Sequence, residues 1–495
     1  MAKINDLRSA IEHLQTIPGE IIETTEPIDP DAEITGVYRY VGAAGVVERP
    51  TQLGPAMMFS NVTGFPDARV LIGMLGTRER VGHLLDCPPE DLGRLLNKSV
   101  HNRIAPVEAT PEEVKCQEVV YRATDPDFDI RKIIPAPRNT PEDAGPYITM
   151  GHCYSNDPIT GEHDITIHRL CLQDRDTMTF NSAPGRHLEI FRRKWEAQDK
   201  PMPMSVNIGL DPAISVACCF EPPTTPLGLD ELSIAGALRN EPVKLTQCLT
   251  IDQKCIANAE YILECEILPH ETMAENNNDH DDNWAMPEFP GYEGIAHKTS
   301  AVVKVRAITT RIKPIMQTVI GCSEEHVNMA GIPTEASILD MCQKAFPGLV
   351  TNVYATRSGG GKTMVIMKID KTKPVDQGRE RQAAIIALAA YTELKNVILV
   401  DNDIDIFDMD DVMWAFNYRF NAEKDIIRIP ATICHPLDPS EKQVYTGYWK
   451  DGLACKTILD CTIPFQLRGD IFHRAKFLEV DPAPYIKELK KLGDN

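Results

Sequence analysis

Three short stretches of this 495-residue chain hold acids and bases at spacings suited to chemistry. Within residues 286–296, Glu288 and Glu293 stand five apart on a backbone stiffened by Pro287, Pro290, Gly291 and Gly294, with Phe289 and Tyr292 between them. Two carboxylates held close drive their pKa values apart, so one can stay protonated as an acid near neutral pH. The same residues equally describe a tight turn with exposed acids. Upstream, residues 164–169 run from Asp164 to Arg169 and alternate as a strand does. That puts Asp164, Thr166 and His168 on one face and Arg169 on the other. In a barrel wall one face meets a ligand; a surface strand with charged ends has the same pattern. Third, RSGGGKT at 357–363 resembles half of a phosphate loop, but Thr356 stands where the motif requires glycine. A glycine-rich turn, or a close backbone approach, is the expectation there.

The elements that must position these residues fall into three parts. Ile4, Leu7, Ile11 and Leu14 recur at helical spacing over 3–16. Between 36 and 75, apolar runs such as 56–59 and 69–73, broken by Gly and Pro, read as strands, and 77–103 reads as helix with Pro88 and Pro89 opening its second half. A proline-rich linker or wrapping segment covers 104–145. From 146 to 312 short strand-like stretches dominate, with 300–308 alternating as a half-buried strand, so a barrel or sandwich is expected. The polar run 275–282 lacks the spacing of a calcium loop and reads as a solvated acidic loop. In the last third, a helical pattern over 380–395 feeds the apolar run 396–401, the mark of an α/β layer. Asp401, Asp403 and Asp405 at its end read as caps for a helix over 410–420 rather than as a site.

Bulk composition excludes several function classes. With 51 Lys and Arg against 72 Asp and Glu, the formal net charge is -21. That argues against nucleic acid and against an anionic membrane surface as partners. The longest apolar run, 383–391, is too short to span a bilayer. Fourteen cysteines form no C-x-x-C pair, and residues 1–6 carry no apolar signal core. The expectation is a reduced, cytoplasmic protein in which adjacent Cys218 and Cys219 are buried thiols.

Taken together, the motifs resemble one family. INDLRSAI at 4–11, TGVYRYVGA at 35–43, NTPEDAGPYIT at 139–149, DITIHRLC at 164–171, NIGLDPAI at 207–214, EPPTTP at 221–226, AMPEFPGYEG at 285–294, GIPTEASI at 331–338, ILVDNDIDIFD at 398–408 and CKTILDCTIPF at 455–465 resemble the UbiD-like decarboxylases, in their hydroxybenzoate branch. The resemblance implies an α+β fold: an N-terminal α+β domain (1–125), a split β-barrel that binds prenylated FMN (126–315) and a C-terminal α/β domain that also assembles the oligomer (316–495). It implies a carboxy-lyase acting reversibly and without oxidation on a hydroxybenzoic acid, through a covalent adduct with prenylated FMN. Protocatechuate going to catechol is the first expectation, with gallate or 4-hydroxybenzoate as alternatives. An FMN-dependent oxidoreductase on a split barrel is the alternative class.

Residue roles follow from the same resemblance. Nothing local marks His187 or Glu231 as ligands, yet by position Asp164, His187 and Glu231 fall on the family's metal shell. The ion would be Mn²⁺ or Mg²⁺, with K⁺ as a further candidate. Arg169 falls on the catalytic arginine, Glu288 on the central glutamate and Glu293 on the third acid. His326 and His435 fall on groups that meet the phenol, where an imidazole titrating near neutral pH would accept the phenolic proton. Thr166, Ile167, His168, Arg186, Cys218, Cys219 and Lys456 fall on cofactor contacts. The partners implied are a small aromatic acid, further copies of the chain in a dimer or hexamer, and small accessory decarboxylase subunits.

Overall fold

The computed structural model describes residues 3–276, 283–482 and 484–485. Its first helix, Leu7–Gln15, begins at a reciprocal cap in which Asp6 accepts from the Ser9 backbone and the Ser9 hydroxyl accepts from the Asp6 backbone. Leu7, Ala10, Ile11 and Leu14 bury its inner face. Residues 36–41, expected to be extended, are helical within Glu33–Val41. Ile34 and Tyr38 lie one helical turn apart and both are fully buried, a 3.6-residue pattern that outweighs the β-branched and aromatic composition. The runs 56–59 and 69–73 are strands as expected. Ile21–Thr24, Ala56–Phe59, Arg69–Ile72 and Ile315–Thr318 form one sheet in that order, its last strand supplied from far along the chain. Helices Arg78–Leu85 and Leu92–His101 follow, with Pro89–Asp91 as a 3-10 turn between them.

The central region is a closed barrel. Tyr261–Met273, Met202–Ile208, Tyr147–Asn156, His163–Asp174, Thr177–Phe180 and Ser300–Thr310 pair antiparallel in that order. Ser300–Thr310 then pairs back onto Tyr261–Met273 and closes the ring. Val119–Arg122, from the proline-rich segment, pairs with residues 307–310 of Ser300–Thr310. Met204, Val206, Leu263, Cys265, Val303 and Val305 are among the side chains that bury this region.

The C-terminal sheet runs Val350–Ala355, Met364–Ile369, Asn396–Asp401, Leu453–Asp460, Ile426–Ile433. Its central strands are apolar on both faces. Val365, Met367, Val397 and Leu399 pack with helices Glu324–Ala345 and Arg379–Ala390, whereas Ile366, Ile398 and Val400 pack with helix Met409–Arg419. The aspartates after Asn396–Asp401 are not the caps they were expected to be. Asp408 caps Met409–Arg419 by accepting from the Asp410 backbone at 2.9 Å. Asp401 instead accepts from Arg419 and Arg468, and Asp403 from Arg419.

Among the described residues no helix is long and apolar enough to cross a membrane. All fourteen cysteines are free thiols. Of the polar run 275–282, residues 277–282 lie outside the described residues. Glu275 is not solvated but 1% exposed, and its partners place it inside the site described next.

Candidate active site

Two helix starts converge on one barrel strand. Asp164 lies near the beginning of His163–Asp174, His187 is the first residue of helix His187–Glu196, and Glu231 immediately precedes helix Leu232–Arg239. All three are buried, and one ligand atom from each lies within 4.8 Å of the others. His187 Nδ1 stands 2.6 Å from Asp164 Oδ1, and the Thr166 hydroxyl donates to Asp164 Oδ2 at 3.0 Å. Glu231 Oε2 is buried without a hydrogen-bond partner. Burial, and then the charge of Asp164, pushes the Glu231 carboxyl well above its ordinary range. Two buried carboxylates and an imidazole, with one oxygen left unsatisfied, fit a divalent cation, which would satisfy that oxygen and neutralise the pair.

Five residues further along the same strand, Arg169 is sandwiched between two acids. It contacts Glu288 Oε1 through Nη1 and lies 3.2 Å from Glu275 through Nη2. Glu275 is held by the Tyr147 hydroxyl at 3.0 Å and the His297 backbone N–H at 3.0 Å. Burial raises the Glu288 carboxyl, Arg169 pulls it back, and the Glu275 charge pushes the same way as burial. Glu275 is thus a carboxylate acting on Glu288 that the 288/293 spacing did not indicate. Glu293 opens Glu293–Ile295, which pairs with Trp284–Pro287, so the two glutamates flank one tight hairpin as the Pro and Gly content implied. Close packing here demands glycine. A Cβ at Gly321 would meet the Pro287 carbonyl oxygen at 2.2 Å, and one at Gly294 would meet Glu288 Cγ at 2.8 Å.

Phe289, next to Glu288, carries the site toward the C-terminal domain. Its ring lies 4.5 Å from His435 and 6.2 Å from His326, and Lys362 Nζ stands 5.6 Å from its centroid. Burial pushes both histidines down, His326 to about 3 and His435 to about 4. They stand neutral at physiological pH, contrary to the near-neutral titration expected of them. The Leu437 backbone N–H donates to His435 Nδ1 at 3.2 Å, which leaves its proton on Nε2. His326 Nδ1 is buried without a partner. RSGGGKT forms the expected glycine turn: a Cβ at Gly361 would meet the Val327 carbonyl oxygen at 2.5 Å. The consequence missed in the sequence is that this turn delivers Lys362 into the site.

Of the residues expected to contact a cofactor, several lie near the Asp164, His187 and Glu231 cluster. Cys218 and Cys219 follow helix Pro212–Ala217, and Asp164 and Glu231 both help raise the Cys218 thiol, after burial. His168 is half-buried, its imidazole pushed down to about 3 by desolvation; the ring lies tilted against Phe180, 4.8 Å between centroids, and Nε2 has no partner. Ile167 packs on the adjoining core. Arg186, one residue before His187, lies 2.5 Å from Glu221 and 3.2 Å from Glu393. Lys456 sits apart, on Leu453–Asp460, and donates to the Thr392 carbonyl at 2.6 Å.

Comparison with known proteins supplies the context. Residues 14–100, 108–324 and 327–461 match the N-terminal, Rift-related and C-terminal domains of the 3-octaprenyl-4-hydroxybenzoate carboxy-lyases, UbiD. Gallate decarboxylase of Lactiplantibacillus plantarum is 50% identical over 98% of this chain and 99% of its own. The apo structure of 3,4-dihydroxybenzoic acid decarboxylase from Enterobacter cloacae superimposes with a TM-score of 0.93 at 50% identity, covering 98% of this chain and 99% of that one. The UbiD-class enzyme HmfF of Pelotomaculum thermopropionicum, in complex with FMN, has a TM-score of 0.84 at 30% identity over 97% of this chain and 98% of that one. An evolved dimeric form of HmfF in complex with prFMN has a TM-score of 0.82 at 28% identity over 97% and 100%.

Proposed function

The chain belongs to the UbiD family of carboxy-lyases, and on that premise we propose that it decarboxylates protocatechuate to catechol, with gallate and 4-hydroxybenzoate as the neighbouring substrates. It is a flavin-dependent decarboxylase of the hydroxybenzoate branch.

Loss of CO₂ from an aromatic ring strands an electron pair in an sp² orbital, and prenylated FMN, when bound, supplies the sink for it. Asp164, His187 and Glu231 would hold Mn²⁺ or Mg²⁺, with Arg186, Thr166, His168, Cys218 and Cys219 around the cofactor. K⁺ is a further candidate ion. Arg169 pairs with the substrate carboxylate and with Glu288, which fixes the ring relative to the acid. Glu288, raised by burial and by Glu275, retains a proton and delivers it to the ring carbon that CO₂ leaves. Glu293, across the hairpin, shapes that acid's loop. His326 Nδ1 is the acceptor for a ring hydroxyl, and the Lys362 ammonium meets the oxygen as it acquires charge. Neutral His435 serves as a donor.

The observation that carries the reading is the placement of Arg169, between Glu275 and Glu288, on the same strand that presents Asp164 to His187 and Glu231. The test is co-expression with a flavin prenyltransferase, then CO₂ release from protocatechuate, gallate and 4-hydroxybenzoate. Glu288→Gln, retaining bound flavin, should lose about 10²–10⁴-fold in rate. A flavin-loaded wild-type protein that releases CO₂ from none of the three overturns the proposal, and NADH oxidation in its place would point to an oxidoreductase. We further infer a homo-oligomer built through the C-terminal domain, where Ile433, Val444, Tyr445, Trp449, Phe477 and Leu478 stand exposed.

A further inference from the structure

Glu393 is not among the residues the family resemblance singled out, yet it is the hub of the substrate end of the site. It lies just beyond helix Arg379–Ala390 and its side chain is 14% exposed. Oε2 accepts from the Tyr391 hydroxyl at 2.8 Å and from Lys362 Nζ at 3.1 Å, and it lies 3.5 Å from His435 Nε2. Oε1 accepts from Arg186 at 3.2 Å. The backbone around it is pinned as well: the Glu393 carbonyl accepts from the Cys434 thiol at 3.2 Å and the Thr392 carbonyl from Lys456 at 2.6 Å.

We propose that Glu393 is a positioning residue for the decarboxylation proposed above: its carboxylate holds the Lys362 ammonium and the Nε2–H edge of His435 as fixed donors beside Phe289 and, through Arg186, ties them to the residue adjoining His187. One side chain thereby couples the groups that read the ring hydroxyls to the wall that holds the metal cluster. The geometry is specific. His435 Nδ1 is occupied by the Leu437 N–H, so the edge facing Glu393 is the protonated one. Lys362 Nζ reaches Glu393 past the Phe289 and Tyr391 rings, from whose centroids it lies 5.6 and 6.0 Å.

Electrostatics agree with the geometry. The groups facing this pocket are Glu393 and Tyr391 beyond their helix, Lys362 on the glycine turn, Arg186 at the start of its helix, Cys219 and Glu221 after helix Pro212–Ala217, Glu288 on its hairpin, His326 on the long helix, His435 and Asp438, and Lys456 on Leu453–Asp460. Burial works to discharge Lys362, and Glu393, then Glu221, more than offset it. Burial likewise opposes the Glu393 charge, but Lys362, His435 and Arg186 hold its carboxyl well below the usual range. Neutralising Glu393 removes the larger of the two charges that keep Lys362 protonated.

The inference rests on the proposed reaction for its catalytic consequence, so it is tested with two readouts. In flavin-loaded wild type, kcat/KM for protocatechuate should fall at alkaline pH in two steps, first as Glu288 loses its proton and later as Lys362 does. In Glu393→Gln the later step should move down by about 1–3 pH units, because the amine that must be charged loses its proton earlier. In lysine-labelled protein, the ¹³Cε signal of Lys362, assigned with Lys362→Arg, should titrate lower in Glu393→Gln by the same amount. That second readout needs no turnover, so it stands even if no hydroxybenzoate is a substrate. Glu393→Asp keeps the charge and shortens the reach: the later step should stay near the wild-type position while KM rises about tenfold or more. Superimposable pH profiles and an unmoved Lys362 titration in Glu393→Gln overturn the proposal. Should that variant not fold, a Glu393→Asp enzyme with wild-type KM overturns it instead.

Discussion

Replacing Glu231 by glutamine is expected to make the metal-free protein more stable while abolishing its response to metal. In the wild type, two carboxylates share a buried cluster and Glu231 Oε2 has no partner. A buried polar atom left unsatisfied costs about 1–3 kcal/mol, and more if charged. A glutamine amide carries no charge and can donate to Asp164, so most of that cost should be recovered. The sign with pH follows. A carboxyl raised on folding contributes stability that is fully present at acid pH and lost as pH rises past the ordinary glutamate value of about 4.3 toward the folded one. Wild-type metal-free protein should therefore lose stability across that window, and Glu231→Gln should not. Metal reverses the order. At about a hundred times its Kd, Mn²⁺ should stabilise the wild type by about 2.7 kcal/mol and leave the variant unmoved. Scanning calorimetry of chelator-stripped protein at several pH values, with and without Mn²⁺, reads all of this. A variant less stable than the metal-free wild type, or one that still gains several degrees with Mn²⁺, would refute both the ligand assignment and the reasoning from the unsatisfied oxygen.

Other perturbations test the acid and the substrate end. Glu275→Gln removes a charge that helps keep Glu288 protonated, so Glu288 should deprotonate at lower pH and the alkaline decline of kcat should move down; a profile unchanged in position would exclude Glu275 from that role. Gly321→Ala puts a methyl 2.2 Å from the Pro287 carbonyl and must displace the Glu288 hairpin. The expected loss is roughly hundredfold in kcat, with flavin content, measured by absorbance, intact. His326→Ala removes the unpartnered acceptor and should raise KM for protocatechuate about tenfold, from the hydroxyl left unpaired.

The sequence disclosed this site unevenly, for physical reasons. The strand carrying Arg169 and the Pro-Gly hairpin carrying Glu288 each leave a local signature, although their roles came only through resemblance. The Asp164, His187 and Glu231 cluster was reachable only through resemblance, since two of its members are helix-start residues that look like ordinary first-turn groups. Glu275 was read as part of a solvated run, because its neighbours are polar and its partners Tyr147 and Arg169 are more than a hundred residues away in sequence. Lys362 was hidden inside an imperfect phosphate loop; Gly361 serves close packing against helix Glu324–Ala345 and Gly360 against Phe289, and the lysine rides on that turn. His326 and His435 stand out only through resemblance, and the downward shift of both depends on burial that no local spacing encodes. Among the elements, the barrel strands and the two-faced C-terminal sheet followed from alternation and apolar runs, whereas the helix Glu33–Val41 was obscured by residues that favour strands.

The four-stranded sheet of the N-terminal region has a consequence for how the molecule is made. One of its strands, Ile315–Thr318, leaves the ribosome only after the entire barrel sequence. The opening helix is likewise tied to distant partners, Arg8 to Glu260 and Asp6 to Arg311. The first hundred residues must therefore wait, incompletely paired, while some two hundred more are synthesised, a non-local topology that slows folding. The same strand leads directly through Gly321 to His326, so the last event that completes the N-terminal sheet also anchors helix Glu324–Ala345. A nascent chain cut just before residue 315 should leave the edge of Arg69–Ile72 unpaired and aggregate.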